Sequence, residues 1–142
     1  MSAPFVLDCS VTMAWFFADE ATPAVDALLD RLSGGGRALV PRHWFLEGGN
    51  TLLMGERRKR CSEAEAANFL GILRALAIDV DPEAESQAAS AAHGLARSHR
   101  LTLYDAAYLE LAMRASLPLA TLDTELRTAA KKAGVKCLPE RI

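Results

Sequence analysis

The chain has 142 residues, of which 51% are hydrophobic and 24% charged, with a formal net charge of −2. That length suits one domain with a substantial core, the composition excludes a disordered polymer, and the charge excludes a uniformly basic nucleic-acid binder while leaving room for local basic patches. No apolar run approaches the roughly 20 residues of a membrane span and no basic-then-apolar leader opens the chain, so a cytoplasmic protein with no membrane partner is expected.

Short β-rich runs alternate with longer helical patterns along the chain. The run "FVL" (5–7) is the first candidate strand, and "TPAVDALLDRL" follows as a helix, with Thr22 as its N-cap, Pro23 at the first helical position and "SGGGR" ending it. After the strand "ALV" (38–40) comes a helix carrying "HWFLEGGNTLL". Next, "SEAEAANFLGILRALA" sets Ser62 and Glu65 at capping-box spacing and aligns Phe69, Leu70, Leu73 and Leu76 on one face. The strand "IDV" (78–80) leads into the alanine-rich helix "DPEAESQAASAAHGLARS" and then the helix "TLYDAAYLELAMRAS". The strand "PLATL" (118–122), the helix "DTELRTAAKKAG" closing at Gly134, and the strand "VKCL" (135–138) complete the chain. Such alternation implies a single domain over residues 1–142, built as a central parallel sheet of about five strands with helices on both faces.

In an open parallel sheet, ligands bind outside the carboxyl ends of the strands. Asp8 ends the first strand and Asp123 the fourth. Asp105 sits in the first turn of its helix and Glu47 lies early in the helix after the second strand, so four carboxylates can meet at one rim. Each also has a purely structural reading. Asp8 can form an Asx turn or cap the next helix, Asp123 can be an N-cap, and Asp105 stands three residues after Thr102, at capping-box spacing. Glu47 is harder to explain that way. His43, Glu47 and Asn50 form one polar strip between Trp44, Phe45, Leu52 and Leu53, and a buried charge needs a partner. Gly48 and Gly49 each give up roughly 1 kcal/mol of helix propensity, which suggests close packing or ligand access.

Four converging carboxylates repel one another unless a cation neutralises them. Magnesium or manganese prefers oxygen ligands and suits a pocket without paired histidines or cysteines, and such an ion activates water and stabilises phosphoryl charge. The three cysteines, at positions 9, 61 and 137, form no close pair. They suggest neither a disulfide framework nor a zinc site, and carboxylates beside Cys9 would raise its pKa and leave it a packing role. His93 and His99 read as helix-face residues, and Trp15, Phe16 and Phe17 as core or interface. The "ERRKR" segment (56–60), Arg97 and Arg100 are solvated charges or phosphate contacts.

Taken together, "VLDCSVTMAWFFADE", "VPRHWFLEGGNTLL", "LTLYDAAYLELAMR" and "LATLDTELRTAAKKAGV" resemble, in order and over nearly the whole chain, a PIN-domain ribonuclease of the VapC toxin type. The resemblance implies a three-layer α/β/α sandwich, Mg²⁺- or Mn²⁺-dependent cleavage of RNA, a homodimer, and inhibition by a cognate antitoxin. It puts Asp8, Glu47, Asp105 and Asp123 in the places of the family's four acidic residues, all as catalytic and metal-binding groups. It also puts Ser10, Asn50 and Thr121 in accessory polar positions. One departure is "EGGN", where an apolar residue commonly follows the Glu. A haloacid-dehalogenase-type phosphatase needs a second Asp where Ser10 stands, and a receiver-type signalling domain needs adjacent acids after the first strand; neither pattern is present. The remaining alternative is a non-catalytic RNA- or protein-binding module that keeps the acidic pocket.

Overall fold

A computed structural model describes residues 3–83 and 85–142 of the chain. Five strands, β1 (Phe5–Leu7), β2 (Ala38–Val40), β3 (Ile78–Val80), β4 (Leu119–Ala120) and β5 (Cys137–Leu138), form one sheet in the order β3-β2-β1-β4-β5. All four pairings are parallel. The expected three-layer arrangement around a parallel sheet of five strands is therefore present. All three residues of β1 are buried, as a central strand covered on both faces requires.

The helices are α1 (Cys9–Phe16), α2 (Pro23–Ser33), α3 (Trp44–Arg57), α4 (Glu63–Ala75), α5 (Glu85–His99), α6 (Leu103–Ala115) and α7 (Thr124–Lys132). Local chemistry sets several of their starts. Thr22 accepts from the Val25 amide with Pro23 in the first turn of α2, and Ser62 and Glu65 form a complete capping box on α4. Phe69 and Leu73 of the stripe expected on α4 are buried, while Leu70 and Leu76 are partly buried against the core. The helix expected from residue 81 begins at Glu85 instead. Asp81 is drawn away into an ion-paired cluster with Arg114, which also binds Glu110 one turn earlier on α6.

Strands β4 and β5 are shorter than the runs 118–122 and 135–138 suggest. Beyond Thr121, whose amide still donates to the Leu138 carbonyl, the ladder gives way to side chains: the Leu122 amide donates to Ser10 Oγ at 2.9 Å and the Asp123 amide to Thr121 Oγ1 at 3.1 Å. The chain starts in the middle of the sheet, builds outward through β2 and β3, then returns to the other side of β1 with β4. Strand order thus reverses between β1 and β4, where their carboxyl ends open a crevice.

Candidate active site

The crevice at the reversal is an open cleft of about 320 Å³ whose lining includes Asp8, Glu47, Asp105, Asp123, Ser10 and Glu20. All four carboxylates expected from sequence thus line one cleft, brought there by four elements: Asp8 follows β1, Glu47 lies on α3, Asp105 opens α6, and Asp123 precedes α7.

Asp8 is 4% exposed and does not cap α1 with its side chain. Its Oδ2 instead accepts from Ser10 Oγ at 2.7 Å and from Thr121 Oγ1 at 2.6 Å. Ser10 and Thr121 therefore act together, from α1 and from the end of β4, to fix one carboxylate oxygen and leave Oδ1 without a side-chain donor. Burial pushes the Asp8 carboxyl up to about 6, and the two hydroxyls only partly offset it. Asp105 is also pushed up to about 6, first by burial and then by the charges of Asp8 and Asp123. Its backbone amide donates to Thr102 Oγ1, and Asp123 Oδ1 accepts from the Leu126 amide. The capping geometry expected at Thr102 and Asp123 is thus real, and both helix starts place a carboxylate in the cleft as well.

Glu47 has a protein partner that sequence reading missed. The hydroxyl of Tyr108 donates to its Oε1 at 2.7 Å. Burial raises the Glu47 carboxyl above its usual range, and the Tyr108 bond counters that. Tyr108 stands three residues after Asp105, so one face of α6 carries both. That spacing is visible in the sequence, but the match to a residue 61 positions away is not. Asn50 is exposed and outside the cleft lining, whereas Thr51 lines it. The polar strip on α3 accordingly runs from Glu47 to Thr51, one full turn, rather than to Asn50. Glu20, in a 3₁₀ turn after α1, adds a fifth carboxylate and is paired at 3.1 Å with Arg60.

Cys9 is buried and its thiol is pushed up to about 12 by burial and by Glu47 and Asp8, which suits packing rather than attack. His43 packs its ring against Tyr104 and Tyr108, and its Nε2 is buried without a partner. Phe17 is buried, Trp15 and Phe16 pack against the core, and His93 is exposed. Arg60 also stacks 3.9 Å over the Phe17 ring, so one cation of "ERRKR" serves the fold.

The donor set suits a hard divalent cation. Its carboxylates are all oxygen donors and strongly anionic, and two of them have their proton affinity raised first by burial and further by neighbouring negative charge. Among the described residues, however, no three His, Cys, Asp or Glu side chains stand close enough to hold an ion as they are.

A family model for the PIN domain matches residues 5–132. The solved structure of PAE2754 from Pyrobaculum aerophilum superposes with a TM-score of 0.71 at 23% identity, covering 97% of this chain and 92% of that one. Mycobacterium tuberculosis VapC20, described as a Sarcin-Ricin loop cleaving toxin, superposes with a TM-score of 0.65 at 18% identity, covering 90% of this chain and 95% of that one. No curated protein sequence matches this chain significantly.

Proposed function

Because the chain belongs to the PIN domain family, we propose that it is a Mg²⁺- or Mn²⁺-dependent endoribonuclease, the toxin of a VapC-type toxin–antitoxin pair, acting in the cytoplasm as a homodimer. The observation that carries this reading is the set of four carboxylates lining one cleft at the reversal of strand order. Asp8, Asp105, Asp123 and Glu47 are the residues that would hold the ion. A bound divalent ion supplies water activation and charge neutralisation at the scissile phosphate.

The protein's own groups do the rest. Ser10 and Thr121 hold Asp8 by Oδ2, so its remaining oxygen has a fixed direction. Glu47 accepts from Tyr108 through Oε1, with the Cys9 thiol also beside its carboxylate. Oε2 orients the attacking water and takes its proton. The cleft is open, which suits a polymer, and VapC20 is described as a Sarcin-Ricin loop cleaving toxin, so a folded RNA loop is the substrate to try.

The test is cleavage of total RNA and of a structured RNA hairpin, with and without divalent ion. Wild type should cut only with the ion, Asp8→Asn should lose nearly all activity, and Glu47→Gln should lose nearly all while staying folded, because an amide accepts no proton. Divalent-ion binding with RNA binding but no cutting would leave the non-catalytic module.

The antitoxin fits a second feature. An apolar groove runs between α1, α3 and α4, lined by Met13, Trp44, Phe45, Leu52 and Leu70 over Gly48 and Gly49. It lies along α3, and Trp15 and Phe16 are not in its lining. An apolar segment of the antitoxin occupies it and extends an Arg or Lys into the acidic cleft. Excess Mg²⁺ should then relieve inhibition by an antitoxin peptide. Inhibition indifferent to the ion would mean the peptide only covers the groove.

A further inference from the structure

We propose that Tyr108 is the positioning residue of the acidic cleft, holding Glu47 by Oε1 so that Oε2 is presented to the reacting water. This rests on the nuclease reading above and assigns a role within it.

Glu47 differs from the other three acids in its reach. The aspartates are short, and Asp8 and Asp123 each accept a hydrogen bond close to home. Glu47 has an extra rotatable bond and sits at the open side of α3, so without an anchor its carboxylate would sample several rotamers. Its main side-chain anchor is the 2.7 Å bond from Tyr108, with the Cys9 thiol a weaker neighbour of the same carboxylate. A short O–H to carboxylate bond of this kind is among the stronger hydrogen bonds a protein makes.

Tyr108 is built to do nothing else with its hydroxyl. The residue is 0% exposed, so the phenol cannot exchange its partner for bulk water. Burial, and then the negative charges of Asp8 and Glu47, raise its proton affinity far above the usual phenol range, so it stays a donor. The ring is held in turn. His43, immediately before α3, meets it edge-on at a centroid distance of 5.0 Å. Packing alone would need only a phenylalanine at this position, because the ring makes those contacts without the oxygen. The hydroxyl has a use only toward Glu47. The consequence is that α6 sets two of the four carboxylates, Asp105 directly and Glu47 through Tyr108.

Tyr108→Phe removes the oxygen and keeps the ring. Removing a group that orients a catalytic or metal-binding side chain typically costs about 10- to 100-fold in activity. We expect a kcat drop of that size with KM for RNA changed by less than about twofold, since the substrate keeps all its own contacts. A double-mutant cycle supplies the readout that a packing role cannot move: in a Glu47→Gln background, Tyr108→Phe should have no further effect on the residual rate. Wild-type kcat in Tyr108→Phe, or the same fold loss in both backgrounds, overturns the proposal. A second measurement does not depend on cleavage. The side-chain carboxyl carbon of Glu47, assigned in ¹³C NMR spectra by its disappearance in Glu47→Gln, should give one narrow signal in wild type and a shifted or broadened one in Tyr108→Phe. An identical signal in both proteins overturns the positioning role even if the nuclease reading stands. Wild type that leaves RNA intact while the signal changes as expected overturns the nuclease reading and keeps the anchor.

Discussion

Asp8 keeps a carboxyl group almost wholly out of water, and the result is a proton affinity that links the cleft to pH. Its pKa rises from 3.8 to about 6 on folding, as does that of Asp105. A carboxyl with a raised folded value binds its proton more tightly in the native state, so its contribution to stability is full below the unfolded value of 3.8 and is lost as pH rises through about 6. Ion-free protein should therefore lose melting temperature across that window, and Asp8→Asn should flatten the loss, because an amide carries no charge to desolvate. Near neutrality, Mg²⁺ should raise the melting temperature of wild type by mass action and that of Asp8→Asn much less. Differential scanning calorimetry at several pH values, with and without the ion, tests both. Parallel wild-type and Asp8→Asn curves would mean that Asp8 is not the group that titrates. Ser10 and Thr121 moderate the effect, since each hydroxyl stabilises the ionised form that burial penalises.

On the scale of elements, α3 carries most of the compromise between folding and binding. Two glycines in mid-helix, Gly48 and Gly49, suggest close packing or access, and the structure favours access. A Cβ at Gly49 would meet nothing within 4 Å, and one at Gly48 would make only ordinary contacts with Met13 and Cys9. Gly55 is the reverse case: a Cβ there would lie 3.0 Å from the Phe17 ring and 3.2 Å from Cys61 Sγ. Gly49→Ala should thus stabilise the protein by up to about 1 kcal/mol through helix propensity, and Gly55→Ala should destabilise it by about 1–3 kcal/mol through overpacking, both read from urea denaturation. Equal effects at the two sites would refute this division. What could be read in advance followed the same lines. Helix starts at Thr22, Ser62, Thr102 and Asp123 were legible because a cap is a contact between residues three apart. The segment Cys9–Phe16 gave no comparable signal, since it is apolar nearly all round and shows no one-sided stripe. Asp8 and Asp123 were legible because strand ends are marked by their neighbours, and Glu47 and Asp105 because each stands early in a helix. Tyr108 and Glu20 were not, because a tyrosine on a buried face reads as core and a 3₁₀ turn has no strong local signature.

At the scale of the whole molecule, the proposed nuclease role asks a chain of net charge −2 with five carboxylates in its cleft to bind a polyanion, so phosphate contacts have to come from beside the cleft. Two basic regions compete for that role. In "ERRKR", Arg60 is already engaged by Asp19, Glu20 and the Phe17 ring. The other is a polar groove of about 400 Å³ lined by Ser98, His99, Arg100, Glu125, Thr128 and Lys132. Two helices tie it to the site: Arg100 comes two residues before Thr102, the cap of the helix that carries Asp105, and Thr128 and Lys132 lie on the helix that Asp123 caps. Neither Arg100 nor Lys132 is in an ion pair among the described residues. Arg100 also adopts φ 53°, a left-handed conformation that favours glycine, so a long cationic side chain is kept there at some backbone cost. The hydroxyls and cations of this groove fit an RNA backbone leaving the cleft on this side. The expected result of reversing both charges, Arg100→Glu with Lys132→Glu, is a KM for RNA raised about tenfold or more with kcat nearly unchanged, and a salt dependence of binding whose log–log slope falls by about one for each phosphate no longer held. Arg57→Glu with Arg58→Glu, on the opposite flank, is the matched comparison of equal charge change. Fluorescence anisotropy of a labelled RNA with the Asp8→Asn protein reads binding without cleavage. If the α3 pair weakens binding and flattens the salt dependence while the Arg100 and Lys132 pair does neither, the strand leaves by the other flank and the α5–α7 groove is not its path.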